Sequence, residues 1–152
     1  MPTITNFILM LAPDTKIIDF IKEHHVLTIA TSSENKPYIS HCFYAFSEEE
    51  NYFVFSSDKK TRHSAEILAN QKIAAGIVLE TKMIGKIQGL QITGKVSEAD
   101  DFKISKAKNI YLKAFPYALL HLETLWIIEP DFYKLTDNRL GFGKKIIWQK
   151  TF

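Results

Sequence analysis

Residues 52–70 pass from a predicted strand to a predicted helix through a short basic turn, which sets the order of three structural elements. Tyr52 to Phe55 are aromatic or β-branched, as is typical of a buried strand. The helix is predicted to begin near Thr61, because apolar residues then recur at roughly helical spacing. Thr61 or Ser64 is suited to cap this helix, since either hydroxyl can accept an N–H of the first turn. The segment therefore predicts a strand, a turn and a helix in direct succession.

The charge of this turn is unusual for the beginning of a helix. Lys59, Lys60, Arg62 and His63 crowd there, and only Asp58 opposes them. A helix N-terminus is itself partly positive, and each added cation costs on the order of 0.3–1 kcal/mol. A bound phosphate would explain the arrangement, because helix N–H groups, hydroxyls and bases all attract it. A solvated basic turn is the other interpretation, and these residues leave both open.

Most of the remaining chain alternates between β-rich runs and turns. The patterns predict strands at 26–31, 38–46, 52–55, 72–79, 86–96, 125–135 and 145–149. They predict helices at 14–24, at 61–70, and from Ser97 to just before Pro116. Short turns join the first three strands, as in an antiparallel meander. Six or seven antiparallel strands with flanking helices predict a small β-barrel of the α+β class.

Two predicted strands contain residues that strands usually avoid. Gly89 and Gly94 interrupt one, and Pro130 interrupts another. Glycine in a strand often marks a bulge, a barrel bend or the close approach of a ligand, and proline indicates an edge or a bulge. We therefore expect a bulge, a bend or a ligand at the glycines, and an edge or a bulge at Pro130.

Composition narrows the classes of function. The net charge of +2 is too small to argue for a nucleic-acid partner. The single cysteine, Cys42, excludes an intrachain disulfide and favours a cytoplasmic location. No apolar run approaches the ~20 residues that span a bilayer, and the run Phe7–Leu11 lacks the preceding basic residues of a signal peptide. We expect residues 1–152 to form one domain without a membrane or nucleic-acid partner.

No set of side chains predicts a metal site or a protein nucleophile. His24 and His25 are adjacent and point in different directions, and no other potential ligands stand at metal-binding spacing. His41 and Cys42 are neighbours on a predicted strand, so they face opposite sides of it and cannot act together. The Gly-x-Ser-x-Gly motif of a serine nucleophile is absent. We predict no metal, and expect any redox chemistry to come from a bound cofactor.

The segment 136–148 combines glycines, bases and aromatic residues. It does not match a phosphate-binding P-loop, because Asn138 stands where the first glycine is needed and Lys145 replaces Ser or Thr. One interpretation is a glycine turn between two strands with exposed lysines. The other is a loop that approaches a planar ligand, with Phe142 or Trp148 as the apolar surface. The sequence leaves both open.

The order of these segments resembles a known family. The chain carries PYISHCFY from Pro37, YFVFSS from Tyr52, KTRH from Lys60 and LANQKIA from Leu68. Together these runs are similar to the core of the pyridoxamine 5′-phosphate oxidase-like FMN-binding split barrels. The terminal residues TDNRLGFGKK and Trp148 are similar to a small branch of that superfamily. The resemblance covers roughly residues 26–148.

The resemblance implies a split barrel that forms a homodimer and binds FMN at the subunit interface. Its phosphate-binding positions correspond to the basic turn, at Ser56, Ser57, Lys60, Thr61 and Arg62. Its flavin-ring positions correspond to two strands, at His41, Cys42 and Phe55. Its contributions from the second subunit correspond to later segments, at Gln91, Lys144 and Trp148.

Two departures limit what the resemblance implies about activity. Gln71 stands where the family usually has proline after Asn70. The arginine-containing terminus that binds substrate in the true oxidase is also missing, so we do not expect oxidation of pyridoxamine phosphate.

Two classes of function fit the sequence, and a third is less favoured. The first is an FMN-dependent oxidoreductase that acts on an unidentified small molecule. The second is a non-catalytic protein that binds or stores flavin or haem. The third is a barrel that binds single-stranded nucleic acid through Tyr38, Phe53 and Phe55, which the acidic run Glu48–Glu50 opposes.

Overall fold

The computed structural model describes residues 12–151, so the apolar run 7–11 lies outside the described residues. Its α-helices are α1 (Thr15–Glu23), α2 (Arg62–Ala69) and α3 (Ile104–Ala114). Its strands are β1 (Val26–Ser33), β2 (Lys36–Phe43), β3 (Ala45–Ser47), β4 (Tyr52–Ser56), β5 (Lys72–Val78), β6 (Gln88–Glu98), β7 (Leu125–Asp137) and β8 (Lys145–Gln149). Short 3₁₀ turns occupy Ile84–Lys86, Pro116–His121 and Asn138–Leu140.

The strands form one antiparallel sheet in the order β2-β1-β5-β6-β7-β4-β3, with β8 also paired to β7. Both predicted antiparallel pairings are confirmed, β1 with β2 and β3 with β4, but the predicted second strand divides at Tyr44, so β4 lies between β3 and β7 and not beside β2. Strands β2 and β3 lie at opposite ends of this order, yet Tyr44 alone separates them in the chain. The sheet must curl until its two ends meet, which produces the α+β split barrel. The predicted barrel is confirmed, with one more strand because the run 38–46 divides at Tyr44.

The barrel interior is filled by the inward-facing residues of the strands. Phe53, Phe55, Trp126 and Tyr133 are fully buried there, and α1 closes one end with its apolar face. Strand β4 is buried on both faces, because α3 packs against its outer side. This explains why β4 is a continuous apolar run and does not alternate with polar residues.

Two of the strand residues expected to disturb the pairing meet at one irregularity. Thr93 pairs with Phe132, but the next residue, Gly94, pairs with Pro130, so Asp131 is the extra residue of a β-bulge. A Cβ on Gly94 would overlap the backbone of Glu129 and Pro130. Glycine is therefore required by the close approach of β7, and the expected irregularity is confirmed at Gly94 and Pro130.

One predicted helix boundary is wrong. The sequence placed a helix start at Ser97–Asp100, but Ser97 and Glu98 still pair with β7 and α3 begins at Ile104. The Asp100 carboxylate accepts hydrogen bonds from the backbone of Phe102 and Lys103 and forms a turn before the helix. An Asp residue suits either a helix cap or such a turn, so the local pattern did not separate the two.

Candidate functional site

The basic turn before α2 is built by two polar side chains. Asp58 accepts the Lys60 N–H through Oδ1 at 2.8 Å, and its carbonyl accepts the Thr61 N–H at 3.1 Å. Thr61 then caps α2, because its Oγ1 accepts the Ser64 N–H at 3.3 Å. The predicted cap is confirmed at Thr61. This local structure presents Lys60 and Arg62 at the positive end of the helix.

Most of the charge in this turn is neutralised within the protein. Lys59 Nζ lies 2.9 Å from Glu98 Oε1, and Arg62 Nε lies 3.0 Å from Glu66 Oε1. The Arg62 guanidinium also stacks on the Tyr38 ring, with Cζ 4.1 Å from the ring centroid. The excess positive charge that suggested a phosphate is therefore smaller than the sequence indicated. Within residues 12–151, the ammonium group of Lys60 has no hydrogen-bonding or ionic partner.

The hydroxyls predicted at this site serve local structure. Ser57 is buried, and its Oγ lies 2.7 Å from Nε2 of His63. Burial lowers the pKa of the His63 imidazole, which favours its neutral form. Ser56 Oγ accepts the Glu123 N–H at 3.1 Å. The Ser57–His63 pair was missed by sequence analysis, because only the turn brings residues six apart into contact.

The predicted flavin-ring residues are divided between two faces of the sheet. Cys42 and Phe55 face the interior, where burial raises the pKa of the Cys42 thiol to about 11 and Phe55 stacks on Trp126. Neither side chain offers a surface to a ring outside the barrel. His41 is exposed on the outer face, and its Nδ1 lies 2.9 Å from Thr28 Oγ1. The prediction that His41 and Cys42 face opposite sides is confirmed.

The aromatic residues of the nucleic-acid interpretation are not surface platforms. Phe53 and Phe55 are both 0% exposed. The Tyr38 ring is covered on one face by the Arg62 guanidinium.

A shallow groove of about 340 Å³ lies on the outer face of β1, β5 and β6. Thr28, Gly76 and Gln91 line it as neighbours in the strand register, and Gly89 lies beside them. A Cβ on Gly76 would come no closer than 3.6 Å to another atom, and one on Gly89 no closer than 3.9 Å. Neither glycine is thus required by packing within the chain, in contrast to Gly94. Both leave a flat strip of backbone on the outer face.

Apolar side chains surround this strip on the outer face of the sheet. Phe43 and Ile39 lie on β2, Val78 lies on β5 and Ile147 lies on β8. Their exposed fractions are 60, 59, 69 and 60%. Such a concentration of exposed apolar residues marks an interaction surface.

The segment after β7 begins with a rigid loop and continues into β8. Its two candidate aromatic residues differ in their exposure to solvent. Asn138 fixes the loop, because its Nδ2 donates to the Ile84 carbonyl at 2.8 Å and its Oδ1 accepts the Gly143 N–H at 2.9 Å. Phe142 is 87% exposed at the tip, whereas Trp148 is buried beside Tyr133. Phe142 is therefore the one of the two that can extend over a ligand on the outer face of the sheet. Lys144, also in this loop, is exposed.

Two other kinds of site are absent from residues 12–151. No helix there is long and apolar enough to cross a membrane. No three His, Cys, Asp or Glu side chains there are grouped to share a metal ion.

Known proteins are similar to this chain, some in sequence and some in shape. The family model described as pyridoxamine 5′-phosphate oxidase matches residues 13–126. The chain belongs to that family. A UPF0306 protein of Pasteurella multocida is 30% identical over 135 residues, which cover 89% of this chain and 91% of the relative. The family match and this relative agree with the resemblance drawn from the order of sequence segments.

Solved structures that resemble this chain in shape bind different ligands. A heme-binding protein of Mycobacterium smegmatis superposes with a TM-score of 0.73 at 14% identity, over 86% of this chain and 55% of that one. This chain thus spans about half of that protein. A FAD-binding protein of Mesorhizobium loti superposes with a TM-score of 0.67 at 11% identity, over 80% of this chain and 91% of that one. At such identities the likeness establishes the split-barrel fold alone.

Proposed function

We propose that the protein is a homodimeric FMN-binding oxidoreductase of the cytoplasm that acts on a small molecule. The observation that carries this proposal is the flat strip formed by Gly76 and Gly89. Glycine weakens a strand, and here neither the backbone conformation nor the packing of the protomer requires it. A planar ring lying on the strip would fill the space that side chains there would take.

Polar groups beside the groove and in the basic turn suit the cofactor. Thr28 and Gln91 line the ring position, and Nε2 of His41 is available beside it, since Nδ1 meets the Thr28 hydroxyl. In the turn before α2, which is not part of the groove lining, Lys60 and the two terminal nitrogens of Arg62 carry no partners among residues 12–151 and can hold a phosphate. Arg62 stacks on Tyr38, which lies three residues before His41 on β2 and on the opposite face of that strand. The ribityl chain of FMN would therefore have to pass around the end of the sheet at β2 to join the two positions.

The chain supplies binding and orientation, and the flavin would supply the electron transfer. The apolar outer face is the surface through which a second copy would cover the ring. In that arrangement, the rigid loop of the second copy would contact the cofactor through Phe142 and Lys144. Cys42, Phe55 and Trp148 are assigned to the core of each protomer, because all three are buried.

A second candidate function is storage of haem or flavin without turnover. The similarity in shape to the heme-binding protein of Mycobacterium smegmatis favours it. A planar anion such as haem would use the same flat strip and the same cations.

The test is the absorbance spectrum of the purified protein, followed by titration with FMN and, separately, with haem. We expect a flavin spectrum and tight FMN binding in the wild type. Gly76→Val should lose most of the binding, because its side chain would occupy the ring position. Ala74→Val is the matched control on the same strand and face, outside the groove, and should bind normally. Equal binding by both variants would exclude the groove.

Catalysis is tested on the FMN complex. Bleaching of the flavin by a nicotinamide cofactor, followed by rapid reoxidation, supports the oxidoreductase. Stable binding without reduction, or a haem spectrum alone, supports the storage function.

A further inference from the structure

A second cavity, of about 380 Å³, lies where β7 carries its bulge. Its walls come from the turn before β4, from β7 and from the end of β8. It shares no lining residue with the groove of the proposed flavin site. The two sites are therefore separate, and a ligand in this cavity does not require FMN in the groove.

The bulge positions one cation at the mouth of this cavity. Gly94 allows the close approach of β7, which expels Asp131 from the regular pairing. The carbonyl oxygen of Asp131 accepts the Lys150 N–H at 2.8 Å. Lys150 is thus held at the cavity by its backbone, independently of its side chain. Bulges recur next to functional sites because they re-aim residues in this way.

The inner wall combines aromatic rings with one polar group. Tyr52 and Trp148 supply the apolar surface, and the Trp148 ring packs on Tyr133 with centroids 5.2 Å apart. Asn51 has a φ of 52°, which is unfavourable for a side-chain-bearing residue. Its Oδ1 accepts the Tyr133 hydroxyl at 2.8 Å, so its amide NH₂ remains to donate to a ligand.

Among residues 12–151, one charged group at the cavity has no ionic partner, and it is a cation. Lys103 Nζ is paired with Glu129 Oε1 at 2.7 Å, and Glu50 is paired with Lys106 at 2.6 Å. Lys150 has no side-chain partner within residues 12–151. The unmatched group at the mouth is therefore an ammonium ion, which selects an anion.

We propose that this cavity binds a small aromatic carboxylate. The ring would lie against Tyr52 and Trp148, while the carboxylate meets the Lys150 ammonium and the Asn51 amide. The cavity volume is in the range of ligand pockets, and a few polar groups around an apolar wall are their usual lining.

Benzoate is the probe, and isothermal titration of the full chain is the measurement. We expect saturable binding of benzoate and at least tenfold weaker binding of benzylamine, which has the opposite charge. Lys150→Gln removes the charge and keeps the backbone contact with Asp131, so it should weaken benzoate binding about tenfold or more. Lys145→Gln, at the far end of β8 and outside the cavity, should leave binding unchanged.

The emission of Trp148 gives a second readout. The chain has two tryptophans, and Trp126 is fully buried, so benzoate should change the emission of Trp148 alone. The proposal is overturned if benzoate fails to saturate, if benzylamine binds equally, or if Lys150→Gln binds as the wild type does. None of these results bears on FMN binding, which is measured separately in the visible absorption of the flavin.

Discussion

At the scale of single residues, ion pairs decide which bases of the turn before α2 are available. Lys59 and Arg62 have carboxylate partners in Glu98 and Glu66, whereas Lys60 has none within residues 12–151. Arg62 also stabilises the ionised form of Glu66. The Thr31 hydroxyl and the Arg62 guanidinium hold the pKa of Glu66 below its ordinary value. A substitution of Arg62 would therefore change stability as well as binding.

Lys60 gives the cleaner test of the phosphate site. We predict that Lys60→Ala weakens FMN binding by about 1.5–3 kcal/mol, the contribution of one hydrogen bond to a charged group. The unfolding midpoint should not change, because the side chain makes no contact that the fold needs. Lys59→Ala is the neighbouring control and should bind FMN as the wild type does. If both variants bind equally, Lys60 is not a phosphate ligand.

At the scale of elements, the loop between β7 and β8 is fixed at both ends. Asn138 links it to the 3₁₀ turn Ile84–Lys86, and the buried Asp137 carboxylate accepts three N–H groups of Arg139, from N, Nε and Nη2. Gly141 and Gly143 have φ values of 134° and 69°, which other residues rarely adopt. The loop is therefore a built structure that holds Phe142 in place.

The Asp137–Arg139 pair should make stability depend on pH. The Arg139 hydrogen bond holds the pKa of Asp137 below its ordinary value of 3.8. Its contribution is then complete above that ordinary value and is lost as pH falls through the lower pKa of the folded state. We expect the urea midpoint to fall as the pH is lowered below about 4, through the pKa of Asp137 in the folded state.

Asp137→Asn is the variant that isolates this effect. It should lower stability at neutral pH by about 1 kcal/mol, because a charged hydrogen bond becomes a neutral one. Its stability should also vary less with pH than that of the wild type. An acid-induced loss of the same size in both proteins would assign the effect to other carboxylates, with Glu66 the first candidate.

At the scale of the whole molecule, the outer face of the sheet is the surface that a second copy would cover. Exposed apolar residues from three strands surround the flat glycine strip there. A homodimer formed through this face would bury them and enclose the proposed flavin site between the subunits.

We predict that Ile39→Asp converts the proposed dimer to a monomer and abolishes the proposed FMN binding. A charge at the centre of an apolar interface would be buried without a partner. Light scattering coupled to gel filtration measures the mass, and flavin absorbance measures retention. Leu119→Asp is the matched control, because Leu119 is equally exposed, at 61% against 59%, but lies in the 3₁₀ turn Pro116–His121 and not on a strand of this face. A wild-type monomer, or a dimeric Ile39→Asp variant, would contradict the assignment.

The sequence by itself determined the elements whose signals are local. The cap at Thr61, the strand–turn–helix order at 52–70, the last strand at 145–149 and the irregularity at Gly94 follow from side-chain periodicity, capping groups and glycine. The family resemblance also followed from the order of segments alone. Such signals act between residues that are close in the chain, so one sequence suffices to detect them.

Only the tertiary structure decided the features that depend on distant contacts. Strand pairing placed β4 beside β7, and burial assigned Cys42 and Phe55 to the core. Ion pairs over long separations, such as Lys59 with Glu98, reduced the unmatched charge that the sequence indicated in the turn. The residues around Lys59 do not indicate that it pairs with Glu98, and those around Glu98 do not indicate Lys59. The flat strip at Gly76 and the cavity at Lys150 arise in the same way, because both require strands from separate parts of the chain to lie side by side.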